Sequence, residues 1–445
     1  MLETKQQTDF YLAAHEEFER LVTSDDPAWL RPIRNAAIAK FAELGFPSRR
    51  DEDWKYTYAS LAPLLKTPFK RSDEAVQGAP AEHVREHAFS GAIELVFVNG
   101  RFSEELSDVS GLPDGVVVTN LATAIAEHRE LVEPHLARYA QHEDYSLTAL
   151  NTAFLRDGVF IHVKANTAIE KPIHILHYSS APLEPVMTFP RHLIVTERSS
   201  QVTVVETYVG GEEQLYFNDS VVEVFTAENA TVDHYKVLRE SNSSYHVANL
   251  QVFQQQNSNF SSHYIALAGG VVRNESRTLF DGENSECTFN GLYIGAGNQH
   301  IDNHTVIDHA KPHCNSYELY KGLLDDKAKG VFNGKIFVRP DAQKTDAKQT
   351  NQALLLSDDA TIDTKPQLEI FADDVKCTHG ATVGQLDETS LFYLRSRGIG
   401  MEQAKSLLTF AFANDIIQRI KVDAIRNQLE DALLTRQDLP RFQEL

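Results

Sequence analysis

The stretch that decides the fold of this 445-residue chain is His192-Leu-Ile-Val-Thr196, a short polar turn, and then Val202-Thr-Val-Val-Glu-Thr207. Both runs are rich in β-branched residues, which is typical of strands. From about residue 158 the apolar period is two rather than 3.6, and it stays so for over 200 residues. Similar strand-like runs occur at Val159–Val163, Ile173–His177, Val221–Phe225 and Thr231–Val237. The central region is therefore predicted to be all β.

The turns between these runs recur at a near-constant interval. Successive turn positions are 30, 29, 27 and 27 residues apart, at Ser200, Ala230, Asn259, Glu286 and His313. A repeat of this length indicates stacked units rather than a closed domain. Because a unit of two strands cannot bury its own apolar face, it is stable only when neighbouring units stack on it. The sequence therefore predicts a parallel β-helix.

Small polar residues stand near the corners of the predicted coils, at Asn229, Asn257, Asn284 and Asn315. Their amides are expected to stack and share hydrogen bonds. Cys287 and Cys314 lie one repeat apart, which predicts that they stack on neighbouring coils as small apolar residues. A β-sandwich is the competing fold, but hairpin signals such as Asn-Gly are scarce across residues 190–330.

Helical periodicity marks both ends of the chain. One predicted helix ends near Leu44, with Gly45 as its stop, and another covers Thr119–Tyr139. Asp387 is a good N-cap for a C-terminal helix, and Gly398 fits its end. These helices are expected to cap the open ends of the solenoid. The predicted domains are an N-terminal helical or mixed domain (1–157), the β-helix (158–385) and a C-terminal helical domain (386–445).

Composition and charge limit the classes of function. Counting 42 basic against 63 acidic residues gives a net charge of −21, so nucleic acid and anionic membranes are poor partners. No apolar run approaches the roughly 20 residues of a membrane span, and no secretory signal is visible. Three cysteines cannot all pair with one another. The expected location is the cytoplasm, with reduced thiols.

No nucleophile elbow, phosphate-binding loop or paired metalloprotease histidines occur in the sequence. Instead, side chains of the kind that bind metals concentrate late in the β region, at His300, His304, His309, His313, Cys314, Cys377 and His379. His300, Asp302 and His304 share one face of a strand, as do Cys377 and His379. Two ligands do not complete a tetrahedral site, so ligands from elsewhere or from another chain would be needed.

Long motifs in residues 298–399 carry a resemblance to a known family. They include Tyr317-Glu-Leu-Tyr-Lys-Gly322, Gly330-Val-Phe-Asn-Gly-Lys-Ile-Phe-Val338, Lys376-Cys-Thr-His-Gly-Ala-Thr382 and Leu391-Phe-Tyr-Leu-Arg-Ser-Arg-Gly-Ile399, together with the earlier Asp53-Trp-Lys-Tyr-Thr57. On these motifs the chain resembles the SufB/SufD family of iron–sulfur cluster assembly proteins. It is more similar to the SufD side, since it lacks the additional cysteines of SufB and the glutamate of its version of the 376–382 motif.

The resemblance implies a right-handed parallel β-helix between helical ends. It also implies a non-catalytic scaffold subunit that pairs with SufB through the β-helix and binds the SufC ATPase through its C-terminal helices. His379, with Cys377 beside it, matches the position that contributes to the nascent cluster at the SufB–SufD interface. No stably bound cofactor is expected in this chain alone, only a transient iron–sulfur cluster shared with SufB, and a homodimer is left open when SufB is absent.

Two other classes of function stay open on the residues alone. A β-helix carbohydrate-active enzyme would need paired carboxylates or a basic cleft, and commonly a secretion signal. A stand-alone metal-binding protein would need a complete ligand set, of which only part is visible.

Overall fold

The predicted repeats form a β-solenoid in which consecutive strands alternate between two sheets. The computed structural model describes residues 2–22, 26–71, 80–181 and 184–435, and the solenoid has about eight turns. Strand accounts for 41% of the structure and helix for 24%. The predicted mainly β class and the parallel β-helix with helices at both ends are therefore confirmed, and the β-sandwich is excluded because the sheets are parallel through the repeats.

The helices of the described residues lie before and after the solenoid. In chain order they are α1 (Leu2–Val22), α2 (Leu30–Leu44), α3 (Tyr58–Leu61), α4 (Ala81–Arg85), α5 (Leu121–Glu127), α6 (Arg129–Val132), α7 (Ser146–Ala153), α8 (Glu388–Ser396), α9 (Met401–Ile417) and α10 (Asp423–Thr435), with 3₁₀ turns at Glu52–Trp54 and Leu64–Lys66.

Four short strands lie among the N-terminal helices, and the other strands lie between α7 and α8. They are β1 (Lys70–Arg71), β2 (Ile93–Val98), β3 (Arg101–Phe102), β4 (Val116–Asn120), β5 (Val159–Val163), β6 (Ile173–Ser179), β7 (Val186–Thr188), β8 (Arg191–Thr196), β9 (Gln201–Gly210), β10 (Tyr216–Thr226), β11 (Thr231–Arg239), β12 (Tyr245–Gln254), β13 (Asn259–Ala268), β14 (Val271–Phe280), β15 (Glu286–Gly295), β16 (His300–His309), β17 (Asn315–Leu324), β18 (Lys329–Val338), β19 (Asp346–Leu355), β20 (Thr361–Ile370) and β21 (Lys376–Gly384).

Sheet A contains the even-numbered strands from β8 to β20, and sheet B the odd-numbered strands from β9 to β21. Each strand pairs with the strand one coil away: His300 is in register with Val271 on one side and with Lys329 on the other. Side chains at alternate positions point into the space between the sheets, where they form the largest apolar cluster. Stacking of coils thus buries the apolar side chains that a single coil would leave exposed.

The corners of the coils are formed by backbone geometry rather than by amide ladders. Asn229, Asn257 and Asn284 adopt positive φ of 56–58° at equivalent turns, as His313 does at 61° in the next coil. The amide N–H of Asn229 donates to the carbonyl of Gln256, and corresponding bonds link the following turns. Asparagine suits this left-handed conformation because its short polar side chain tolerates it.

Two details of the predicted corners are wrong. Asn315 begins strand β17, and His313 takes the corner position instead. Cys287 and Cys314 are both buried in the apolar core, as predicted, but they do not stack on each other: Cys287 is in register with Ser316, while Cys314 lies in the turn before β17 and its thiol approaches the carbonyl of Gly282 at 3.2 Å. Both errors are shifts of two residues, because the coil length is not constant.

The helices pack on the outer faces of the two sheets rather than over the last coil. The helices α1, α2 and α7 share an apolar cluster with Phe217 and Val247 of sheet A. The helix α10 packs Ile425 and Leu429 against sheet B. In the described residues the last strands β20 and β21 keep one open edge each, so the expected capping of the C-terminal end is not what the helices do.

The region before residue 158 is more closely joined to the sheets than a separate domain would be. The strand β2 pairs in parallel with β6, and β4 pairs antiparallel with β5. The predicted helix over Thr119–Tyr139 is wrong at both ends, because the β-branched run Val116–Thr119 belongs to β4, helix begins at Leu121, and after a break at His128 it ends at Val132. The domain boundaries stay predictions, and residues 436–445 of the predicted C-terminal domain lie outside the described residues.

Both ends of α8 follow the sequence signals. The side chain of Asp387 accepts hydrogen bonds from the backbone N–H groups of Thr389 and Ser390, and Gly398 follows the helix with φ of 90°. No helix of the described residues is long and apolar enough to cross a membrane.

Candidate functional site

Cys377 and His379 lie on β21, the last strand of sheet B. Among the residues that the structure describes, this strand has β19 as its neighbour on one side and no strand on the other. The two residues are in register with Ala347 and Gln349, so both belong to rows that face the space between the sheets. The predicted sharing of one strand face thus agrees with the register.

The two side chains differ in exposure. Cys377 is half-buried and packs against the apolar core, and burial, followed by the negative charge of Asp346, raises the pKa of its thiol. His379 is exposed to solvent. An exposed neutral imidazole can bind a soft or borderline metal, whereas a thiol with a raised pKa is poorly ionised and so a weaker ligand.

A row of polar side chains leads from His379 into the solenoid. The next residue in the row is Gln349, which is buried, and its amide donates to Oε2 of Glu318 at 2.6 Å. Glu318 is 3% exposed, and burial raises the pKa of its carboxyl to about 7, against hydrogen bonds from Thr305 and Gln349. A carboxyl that titrates near neutral pH therefore lies two coils below His379.

The sequence prediction did not single out Glu318, although a signal was available. Alternation along β17 places Ser316, Glu318 and Tyr320 on one face of the strand. Since Tyr320 belongs to the apolar core, this face is the inner one, and a glutamate on it is buried. The motif Tyr317-Glu-Leu-Tyr-Lys-Gly322 thus contains the inward carboxyl.

The edge around His379 is partly apolar. Val383 at the end of β21, Ile370 at the end of β20 and Phe371 just beyond it are 45%, 39% and 58% exposed. Open strand edges and exposed apolar side chains are features that proteins normally cover. The last coil therefore presents a strand edge and three apolar side chains to solvent.

The other histidines of the predicted metal-type group do not join this site. His300 and His304 lie on the outer face of β16, while His309 points inward and its Nε2 lies 2.9 Å from Oγ of Ser316. His313 and Cys314 are turn residues. Within the described residues no three His, Cys, Asp or Glu side chains are grouped closely enough to hold a metal ion.

His300, Asp302 and His304 instead hold the segment Asp53–Ser60 against sheet A. Oγ1 of Thr57 lies 2.9 Å from Nε2 of His300 and donates to Asp302 at 2.5 Å. Nδ1 of His300 lies 2.9 Å from Oγ of Ser60. Burial lowers the pKa of His300 to about 4, so this ring is neutral at pH 7.

Arg273 completes this contact, which we call the clasp (residues 53–60 with Arg273, His300, Asp302 and His304). Its guanidinium lies 3.9 Å from the ring centroid of Trp54 and donates to the carbonyl of Asp53 and to Asp302. It also donates to Glu275 at 2.5 Å. The segment Asp53–Ser60 is therefore a strap that docks on the outer face of the solenoid.

Two family models match the chain and together cover nearly all of it. The model described as SUF system FeS cluster assembly, SufBD core domain matches residues 177–412. The model described as SufBD protein N-terminal region matches residues 4–175. The boundary between them falls at the start of the repeats, within strand β6.

Several curated relatives match the chain over most of its length. An iron–sulfur cluster assembly SufBD family protein of Synechocystis sp. is 33% identical over 426 residues, covering 94% of this chain and 93% of the relative. The iron–sulfur cluster assembly protein SufD of Escherichia coli is 33% identical over 401 residues, covering 89% and 91%. SufD of Bacillus subtilis is 27% identical over 412 residues, covering 91% and 93%.

The fold and these matches define a β-solenoid protein of iron–sulfur cluster assembly. The chain belongs to the SufB/SufD family, and it is similar to SufD over most of its length. Its role therefore lies in the SUF system, as the sequence motifs predicted.

Proposed function

We propose that the chain is a non-catalytic scaffold subunit that pairs with SufB, binds the SufC ATPase, and contributes His379 to a nascent cluster at the shared interface. The observation that carries the proposal is an exposed histidine on a strand with one open edge, at the end of the solenoid. A single imidazole does not close a metal site, so the other ligands come from the partner.

The open edge is the surface proposed for SufB. In the described part of the chain, backbone N–H and C=O groups along β20 and β21 have no neighbouring strand on one side, and Phe371 adds an exposed apolar side chain there. A partner solenoid would cover both features and bring its ligands next to His379. Cys377, half-buried behind the histidine, is proposed to support the site, and the cluster is transient because the chain alone supplies too few ligands.

Replacement of His379 with alanine is expected to abolish, or reduce at least tenfold, cluster assembly in cells that depend on this chain. The side chain is exposed, so its loss should change the free energy of unfolding by less than about 0.5 kcal/mol. The complex of the variant chain with SufB and SufC should therefore be recovered in normal yield. Complementation of a deletion strain, complex yield and melting temperature are measured on the same variant.

The matched control is His83→Ala, which removes another exposed histidine, on α4. It should assemble clusters normally, and Cys377→Ala should show a milder defect than His379→Ala. Normal cluster assembly with His379→Ala would contradict the proposed ligand. Loss of assembly in proportion to loss of soluble complex would reduce His379 to a structural role.

The C-terminal helices are the surface proposed for SufC. On α9 the apolar side chains of Leu407, Leu408 and Phe412 are half-buried, so part of their surface remains open to a partner. On α8 the aromatic side chains remain outside, with Phe392 74% and Tyr393 56% exposed. Large aromatic residues of this kind are typical anchors of protein interfaces.

The double change Phe392→Glu with Arg395→Glu is expected to weaken SufC binding about tenfold or more, because it removes an apolar anchor and reverses an exposed charge. Affinity for purified SufC is measured by titration calorimetry. Arg101→Glu, an exposed charge reversal in the N-terminal region, is the control. Equal SufC affinity of both variants and the unaltered chain would place the SufC surface elsewhere.

A further inference from the structure

A cavity of about 310 Å³ lies between the N-terminal region and the outer face of sheet A. Its walls come from residues 44–54, from the loop and first turn at 144–148, and from strands β10, β12 and β14. Its floor is apolar, with the side chains of Leu147 and Val247. Several carboxyl groups surround this floor, at Asp51, Glu52, Asp53, Asp144, Asp219 and Glu275.

Asp219 is the deepest of these carboxyl groups. It is 2% exposed, and its Oδ2 has no hydrogen-bond partner in the described residues. Arg191, whose charge acts on Asp219, donates instead to Glu223, Asn151 and Thr152. Burial raises the pKa of Asp219 well above its ordinary value, and a cation placed against the group would lower it again.

Two aromatic side chains in the cavity wall contact arginines, and the charges of these arginines are balanced by carboxylates. Arg273 stacks on Trp54, and Arg277 lies 4.3 Å from the ring centroid of Tyr145. Glu275 accepts hydrogen bonds from both arginines, at 2.5 and 3.3 Å. Asp302, outside the cavity, pairs with Arg273 at 2.6 Å. Two arginines are therefore matched by two carboxylates, and these residues leave no positive charge for the rest of the cavity.

Of the remaining carboxyl groups around the cavity, some have a hydrogen-bond or ion-pair partner and others have none among the described residues. Asp51 accepts hydrogen bonds from Ser48, and Glu52 pairs with Lys365 at 2.8 Å. The carboxyl groups of Asp53 and Asp144, like Oδ2 of Asp219, have no hydrogen bond or ion pair within the part of the chain that the structure describes. The cavity thus combines unpaired acidic groups with an apolar floor.

We propose that this cavity binds a small organic cation with a primary ammonium group. An ammonium group has three N–H donors, which suits carboxyl oxygens on more than one wall. A methylene stem would pack on Leu147 and Val247 while the charge faces Asp219. A metal ion is disfavoured because no three acidic, His or Cys side chains in the described ranges meet closely enough to ligate one.

The test uses 1,4-diaminobutane as the probe, titrated calorimetrically into the full chain at low ionic strength. Saturable binding is expected, and 1,4-butanediol, which has the same length and no charge, should bind at least tenfold more weakly. Asp219→Asn should weaken diamine binding about tenfold, the effect of losing one interaction of about 1.4 kcal/mol between the ammonium group and this buried carboxyl.

The control is Asp341→Asn, which removes one negative charge at an exposed turn between β18 and β19. It should leave diamine affinity unchanged. If Asp219→Asn fails to fold, Asp144→Asn, at an exposed position of the same cavity, replaces it with the same expected direction. Equal binding of diamine and diol, or equal affinity in the cavity variants and Asp341→Asn, would overturn the proposal and indicate unspecific attraction to an acidic surface.

Discussion

Arg273→Ala is expected to lower the free energy of unfolding by about 3–5 kcal/mol, the usual cost of removing one partner of a buried ion pair. Arg273 is 1% exposed and donates to Asp302 at 2.6 Å and to Glu275 at 2.5 Å. Without it two buried carboxylates each lose their guanidinium partner Arg273, although Arg277 still donates to Glu275 and Thr57 to Asp302, and the clasp loses the guanidinium that stacks on Trp54. Equilibrium urea unfolding measures the change.

The pKa values of Glu275 and Asp302 support the same expectation. Burial raises the pKa of Glu275, but the charges of Arg273 and Arg277 outweigh it and bring the value to about 2. For Asp302 the charges of His304 and Arg273 outweigh burial and hold its pKa well below its ordinary value. Both groups are ionised at pH 7, so removal of Arg273 leaves charge behind in the buried contact.

The control for this prediction is Arg339→Ala. Arg339 pairs with Asp308 through two hydrogen bonds at 2.9 and 2.7 Å, but its side chain is 48% exposed. Solvent screening limits such pairs to about 1 kcal/mol or less. Similar losses of stability in the two variants would show that the clasp does not stabilise the fold beyond a surface ion pair.

Glu318→Gln is expected to gain stability relative to the unaltered chain as pH rises, by about 3 kcal/mol between pH 4 and pH 8. Burial raises the pKa of Glu318 from 4.5 to about 7 in the folded chain. The folded state therefore holds a proton that the unfolded state has already released, and the free energy of unfolding falls across this window. A difference of about 2.5 pKa units corresponds to about 3 kcal/mol.

Glutamine keeps the size of the side chain and does not ionise, so it removes this dependence while it can still bond to Gln349. The quantity to measure is the difference in unfolding free energy between variant and unaltered chain at several pH values, because all other groups cancel in it. Glu127→Gln, at an exposed position at the end of α5, is the control and should give a flat difference. A flat difference for Glu318→Gln would mean that its carboxyl is not protonated preferentially in the folded chain.

Local sequence signals were sufficient for the repeats and for several helix ends. The turn spacing of about 27–30 residues predicted the stacking of coils, and strands β9, β11, β13 and β15 begin at or one residue after the predicted positions. Asp387 and Gly398 predicted both ends of α8. These signals are readable because a strand alternates with period two and a helix end needs a particular residue type within a few positions.

Local sequence signals also determined part of the candidate site. The Cys-Thr-His spacing placed Cys377 and His379 on one strand face, and the register agrees. Exposure of the histidine, burial of the cysteine and the open edge of β21 were not readable, because each depends on which strands and helices lie next to the last coil.

The clasp was decided by tertiary structure alone. From spacing, His300, Asp302 and His304 looked like metal ligands, since residue type and strand alternation do not distinguish a ligand from a hydrogen-bond partner. Their partner Thr57 is more than 240 positions away, and no periodic pattern connects segments at that separation. The sequence determined the coil, because its contacts repeat at a fixed interval. Only the folded chain determined what lies on the coil, because those contacts occur once and join segments whose separation in the sequence carries no signal.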